Sequence, residues 1–455
     1  MTNQTSPIAC IVLLLHGCAS APPAPLDAQI AATEVAERTS PEVLARALDL
    51  ADLRPLGIPR PDSRDRDPNG AAFWHACAWA FEANTRIARN LWHAAQARRD
   101  GAGLPRDVSL AANTVDVAEP DRQTAVSVAF DVLGILGLGR SAAAARLADA
   151  DVRHALAAVE TEVWRARFAV DRARVRVAAS RTRQAALAEL TQQVTKDRTR
   201  IDILSDRGWV PEGSVQTTRA LMARLGRTVE NTRAATARAR ATLASIAGLP
   251  ADAPALDLVT TATLGGFAPN TTPPSPSTPR ALFEQRPDLR AALLRYAISE
   301  AHVRVAAARS WPEVGLGSRL QLSPDQLLTG GILSVTLPWP GAVDAAVRRA
   351  VAVRNAERAR VEQAFVDAHA EITARAVVLT TAQATVTQHG PSIETATRAA
   401  WRAIRAKFTA DPKELSTWND ALERRLAGVL AHIDAREAAI LAWLDLTESL
   451  GEVRR

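Results

Sequence analysis

Aromatic side chains are scarce in this chain. They make up 4% of its 455 residues, and Tyr296 is the single tyrosine. A chain of this length carries a prior of about three domains, and ordinary domain cores draw heavily on aromatic bulk. Lysine is almost missing too: Lys196, Lys407 and Lys413 are the only three among 55 basic residues. The cysteines are Cys10, Cys18 and Cys77. No pair has CxxC or metal-ligand spacing, so a disulfide framework and a zinc site are both excluded. No apolar run reaches the roughly 20 residues of a spanning helix, which excludes a polytopic helical membrane protein. The eight histidines are scattered, and no HExxH, GxSxG or Walker-type loop occurs. Nothing points to an enzyme, a metal or a cofactor other than a covalent lipid, discussed below.

The chain is nevertheless 47% hydrophobic, which excludes disorder. Alanine and arginine dominate, with leucine and glutamate, the composition of long helices. The formal net charge is +6 and the pI about 9.9. A basic balance invites a nucleic-acid reading. Here, however, arginine alternates with alanine and acidic residues instead of forming blocks, which is the pattern of a solvated helix face.

The N-terminus reads as a targeting segment. Pro7 to Leu15 form a short apolar run of signal-peptide length, too short to span as a helix. Leu15-His16-Gly17-Cys18 then resembles a bacterial lipobox, in which the cysteine becomes the first mature residue and carries the lipid. His16 departs from that pattern, and Met1 to Ser6 lack any Lys or Arg. By the sorting rule of this class, Ala19 would send such a lipoprotein to the outer membrane. Cys77 lies in Trp74-His75-Ala76-Cys77-Ala78-Trp79, a helical stretch in which a small buried residue fits. Trp74 and Trp79, with Phe73 and Phe81, read as helix packing.

Two halves follow one plan. Residues 140 to 207 contain neither Gly nor Pro, enough for a helix of roughly 100 Å. Val152, Leu156, Val159, Val163, Ala166 and Val170 recur at alternating spacings of four and three, a coiled-coil seam. Gly208 and Pro211 shape a turn, and a second helix returns to Gly248. In the second half, residues 342 to 389 again lack Gly and Pro, Gly390-Pro391 predicts a kink, and Asp411-Pro412 makes the turn. Each half also carries β-like segments of strict period two: Val126, Val128, Phe130 and Val132 in the first, with a weaker partner over Val108–Val117. In the second they are Val314, Leu316, Leu320 and Leu322, then Leu333, Val335 and Leu337. Two isolated hairpins would be marginal in water, whereas ten-residue segments with one apolar side suit a membrane β-barrel. Four strands cannot close a barrel, so the reading requires oligomerisation. The halves keep register: Pro105 and Pro312, and Gly134 and Gly341, are each 207 residues apart, and Gly208 and Asp411 are 203 apart.

Arg286-Pro287-Asp288-Leu289-Arg290-Ala291-Ala292, the helix-to-strand junction Val303 to Val314, and Leu337-Pro338-Trp339-Pro340-Gly341 together resemble the TolC-like outer-membrane efflux factor family. Phe130-Asp131-Val132-Leu133-Gly134 and Ala83-Asn84-Thr85-Arg86-Ile87 resemble the first-half counterparts. The resemblance spans roughly residues 70–450. It implies a mainly α fold with a small membrane β part: long antiparallel coiled-coil hairpins plus four β-strands per protomer. Three protomers would form a homotrimeric α-barrel and β-barrel tunnel in the outer-membrane lipid. A periplasmic adaptor and an inner-membrane efflux pump would dock at the helical tips. Family tips carry Gly, an acidic residue six positions on, and often a polar or acidic one nine on. Here the first tip gives Gly208, Ser214 and Thr217, and the second gives Asp411, Thr417 and Asp420. Asp420 would supply an entrance ring of one carboxylate per protomer.

The expected organisation is a signal peptide over 1–17, a lipid-anchored extended segment over 18–70 and a first repeat over 71–250. A Pro/Thr-rich connector over 251–279 and a second repeat over 280–455 complete it. The competing reading is a periplasmic coiled-coil lipoprotein, a scaffold or adaptor without a channel. Four alternating apolar strands argue against it. A nucleic-acid partner is contradicted by the signal sequence.

Overall fold

The computed structural model describes residues 27–40, 70–102, 108–116, 122–131, 139–259, 279–322, 327–388 and 390–451. The signal segment and Cys18 lie outside them. The first described helix, α1 (Ala28–Glu37), falls inside the segment expected to be extended. That expectation is corrected for these ten residues. Asp27 caps the helix by accepting from the Gln29 N–H at 2.8 Å, and an Ala/Glu-rich run follows. Arg38 then donates to the Gly248 carbonyl at 2.8 Å and lies over the Phe81 ring, tying the segment to the body.

The first repeat comprises α2 (Ala71–Phe81), α3 (Ala83–Ala102), β1 (Val108–Asp116), β2 (Arg122–Asp131), α4 (Arg140–Asp206) and α5 (Glu212–Ala247). The second comprises α6 (Pro279–Gln285), α7 (Pro287–Ala308), β3 (Glu313–Leu322), β4 (Leu327–Thr336), α8 (Pro340–Gln388), α9 (Pro391–Ala410) and α10 (Leu415–Leu450). The stretch without Gly or Pro is thus one helix of 67 residues, roughly 100 Å long. Toward the sheet α4 packs on α3 and α7; toward the far end it packs on α5 and α10. The expected break at Gly390-Pro391 separates α8 from α9. Proline cannot donate to the preceding turn, and a Cβ on Gly390 would press the Val386 carbonyl at 3.2 Å. No helix among the described residues is long and apolar enough to cross a membrane.

Equivalent ends of the repeats are built alike. Gly248 closes α5 with φ +65° and Gly451 closes α10 with φ +73°. A Cβ on Gly248 would stand 2.7 Å from the Phe81 carbonyl carbon; one on Gly451 would stand 2.7 Å from that of Gln285. Each repeat therefore seats the end of its last helix on the break between its first two.

Three apolar clusters run along the body. One joins α2 to the middle of α4 and the end of α5, with Trp74, Val159, Val170 and Leu243 buried. Cys77 is buried there as expected, and burial pushes its thiol up to about 12. His75 Nε2 lies 3.0 Å from Asp171, which Arg174 also faces at 3.7 Å. Burial alone would raise the Asp171 carboxyl; His75, Arg174 and Arg167 outweigh it and hold it below the usual range. The same cluster takes in Leu256 and Val259 from the start of the expected connector. Arg181 donates to the Asp257 and Val259 carbonyls at 2.7 and 2.6 Å, so this stretch is docked core. The second cluster joins α4, α6, α8 and α10. Arg286, 5% exposed, forks onto both Asp288 oxygens at 3.1 and 2.7 Å and also reaches Glu371 and the Ser449 carbonyl. The Arg-Pro-Asp motif is therefore a buried fastener between helices. The third cluster lies at the helical tips.

Candidate functional site

The two tips lie side by side but turn differently. At the first, Gly208 takes φ +69°, the Gly208 N–H donates to the Ser205 carbonyl at 2.9 Å, and the Trp209 N–H donates to Leu204 at 3.0 Å. That pair of bonds is the Schellman stop, which favours glycine. At the second, Asp411 has φ −129° and accepts from the Lys413 N–H at 3.0 Å, while Pro412 opens a short 3-10 turn. An aspartate cap and a proline replace the left-handed glycine.

Asn419 joins the hairpins. Its amide donates to the Ser214 carbonyl at 3.0 Å, and its carbonyl accepts from the Thr218 hydroxyl at 2.8 Å. Arg224 and Glu423 pair at 2.6 Å farther along. Ser214 is thus brought to the inter-hairpin contact. Thr217, Thr417 and Asp420 are exposed, with Thr417 and Asp420 sharing one helix face three residues apart. Asp420 has no ion-pair partner among the described residues, and exposed Arg424 stands one turn beyond it. Behind this surface, Asp197 on α4 accepts from Arg405 at 2.7 and 2.8 Å and from the Trp418 indole at 3.2 Å. Trp401 and Phe408 close around Trp418. The Asn419 bridge and the Asp197 clamp were not picked out from sequence. Their one visible signal was two tryptophans, Trp401 and Trp418, near the tip of a chain poor in aromatics.

At the opposite end the strands form one antiparallel sheet in the order β1-β2-β3-β4. The register puts Leu110, Val128, Ser318 and Gly331 in one row, and Val108, Phe130, Leu316 and Leu333 in the next. The alternating apolar residues of all four strands therefore share a face. On it Leu316, Leu320, Leu333 and Val335 are exposed, and Leu337 continues the parity beyond β4. The other face carries rows such as Ala111, Ser127, Arg319 and Gly330. Trp311 and Trp339 flank the helix-proximal edge, the latter 80% exposed. Arg140 fastens this junction, pairing with Glu313 and donating to the Arg309 carbonyl at 3.1 Å. Among the described residues, β1 and β4 are the two edges of the sheet and pair with no further strand.

Among the described residues, no group of three metal-ligating side chains occurs. No family model and no curated protein matches the sequence. Solved structures do match. The outer-membrane channel OprN aligns with a TM-score of 0.69 over 85% of this chain and 91% of its own, at 21% identity. The outer membrane protein VceC of Vibrio cholerae aligns at 0.66 over 84% and 96%, with 17% identity. The open state of the MtrE outer membrane channel of Neisseria gonorrhoeae aligns at 0.65 over 83% and 88%, with 16% identity. The chain has the TolC-like outer-membrane channel fold.

Proposed function

We propose that this protein is the outer-membrane channel of an efflux system: a passive homotrimeric duct for small molecules. The observation that carries the reading is the open sheet with its bare apolar face. Ten-residue strands are about 33 Å long, and a tilt near 40° reduces that to the roughly 25 Å of an outer-membrane apolar band. Three copies would contribute twelve strands and leave no edge, with the Gly/Ser/Ala face turned to water. The helices support self-association. On α8 only Glu357, Ala368, Ile372 and Leu379 are buried, while Val353, Val366, Val377 and Val378 are exposed. A helix of 49 residues with so little cover lacks neighbours that second copies would supply.

The finer parts belong to the same proposal. Cys18 would carry the lipid anchor in the outer membrane. Gly208, Ser214, Thr217, Asp411, Thr417 and Asp420 would form the end on which a periplasmic adaptor and, beyond it, an inner-membrane pump assemble. The exposed, unpaired Asp420 carboxylate would line the entrance. The test is the detergent-extracted full chain. We expect a heat-sensitive trimer on gels and conducting pores in planar bilayers. Cation block of those pores should weaken in Asp420→Asn. A water-soluble monomer after removal of residues 1–18 would overturn the channel reading; unchanged block would remove Asp420 alone.

A further inference from the structure

The sheet carries an arginine, Arg319, away from the acids of the helical body. Arg319 sits on the face of small and polar residues, in a row with Ala111, Ser127 and Gly330. All three are small residues. The adjacent rows hold Ser109, Ala129, Gly317 and Ile332 on one side and Asn113, Ala125, Gln321 and Leu328 on the other. None is charged. The acids of this face, Glu313 and Asp131, stand at its helix-proximal end, and Glu313 is already paired with Arg140. From Gly315, the Cα partner of Asp131, to Arg319 is about 13 Å along the strand. Arg319 is exposed and has no carboxylate within ion-pair distance among the described residues.

We infer that Arg319 sets the charge preference of the duct, so that its barrel favours anionic over cationic solutes. The inference rests on the trimeric-channel reading. In a twelve-stranded barrel, strands about 4.8 Å apart and tilted near 40° give a backbone radius of roughly 12 Å. An arginine pointing inward brings its guanidinium to within about 6 Å of the axis, and threefold symmetry puts three there at one level. In water at physiological salt, with a screening length of about 8 Å, three such charges concentrate a monovalent anion on the axis roughly fivefold over bulk. A divalent anion gains the square of that factor. A guanidinium stays charged at any working pH, so the preference is fixed.

The test uses the full-length trimer in planar bilayers under a potassium chloride gradient. In the Asp420→Asn background, which removes the entrance carboxylates, the trimer should reverse at a potential favouring chloride. Arg319→Gln should bring the chloride-to-potassium permeability ratio down by up to about twenty-fivefold, the anion losing about fivefold and the cation gaining as much, and Arg319→Glu should invert it. Citrate added from the barrel side should slow wild-type current and leave Arg319→Glu unaffected. Conducting trimers whose reversal potential is the same in wild type and Arg319→Glu would overturn the inference. An absence of any conductance in the wild type would instead overturn the channel reading. Arg319→Lys should retain the preference, separating charge from a packing role.

Discussion

Gly248 and Gly451 allow a direct measurement of whether the two repeats are structurally equivalent. Alanine at either position must hold a left-handed conformation, which costs about 1 to 2 kcal/mol. Its Cβ would also meet backbone. At Gly248 the nearest atoms are the Phe81 Cβ at 2.6 Å and carbonyl carbon at 2.7 Å; at Gly451 they are the Gln285 carbonyl carbon and oxygen at 2.7 Å. Backbone cannot swing aside as a side-chain tip can, so the α2 or α6 end must lift from its seat. Overpacking of this kind adds about 1 to 3 kcal/mol. A total near 3 kcal/mol, divided by an unfolding entropy of about 2.1 cal/mol/K per residue, lowers the melting midpoint by roughly 3 °C. Gly226 is the control. It lies exposed within α5 with nothing near its Cβ position, so Gly226→Ala should raise stability by about 0.5 to 1 kcal/mol. Circular dichroism melts of the three variants at one protein concentration and one detergent would measure this. Similar losses at 248 and 451, and a small gain at 226, are expected. A neutral Gly248→Ala beside a costly Gly451→Ala would refute the equivalence of the two seats.

Asp171 should make acid stability depend on α2. Its carboxyl is held below the unfolded value, so its contribution is present above about pH 4 and disappears as pH falls through the depressed folded value. Asp171→Asn should therefore lower the neutral-pH melting point and flatten the acid limb, which pH-stepped melts would read; an unchanged slope would contradict it. Cys77 should resist alkylation. With its thiol pushed up to about 12, only about one molecule in ten thousand is thiolate at pH 8. Iodoacetamide should modify it only in denaturant, and mass spectrometry of native protein showing rapid labelling would disprove its burial.

Periodicity made much of this architecture legible. The absence of Gly and Pro from 140 to 206 delimits α4 almost to the residue, because those two residue types are what stops a helix. Period-two alternation located β2, β3 and the second half of β4, with β1 as a weaker partner; the pairing then brought in Leu327–Ile332 and aligned the apolar sets across the sheet. Other features leave no local trace. Leu256 sits in a Pro-rich connector by composition, yet it is buried because Arg181, 75 residues earlier, gathers the carbonyls around it. Arg286 and Arg319 are the same letter in the same composition. One is a buried fastener and the other stands alone on a sheet face. Nothing short of the tertiary neighbours, Glu371 and Ser449 for one and Ser127 and Gly330 for the other, separates them. The tips show the same limit. Spacing put Asp411 in the place of Gly208, but backbone conformation differs, since a side-chain cap can stop a chain without a left-handed residue.

The shortage of aromatics and the surplus of arginine have one physical cause. A body built from single long helices laid side by side has no deep interior: each cylinder is one side chain away from solvent on at least one face. Large rings are hard to cover along such a wall, and they gather where extra elements thicken it, around α2, around α6 and at the tip cluster. Arginine suits the thin regions. Its stem covers apolar surface while its fork reaches carboxylates or carbonyls on the next helix. Arg172 reaches Asp445 and Glu448, Arg183 reaches Asp434 and Glu437, Arg405 reaches Asp197, and Arg425 reaches Glu394. Each link crosses from one helix to another. Lysine, a single point charge on a flexible stem, cannot fork in this way, which accounts for its near absence. Part of the basic balance is held in such links between helices, whereas Arg319 stands on a sheet face with no acid paired to it among the described residues.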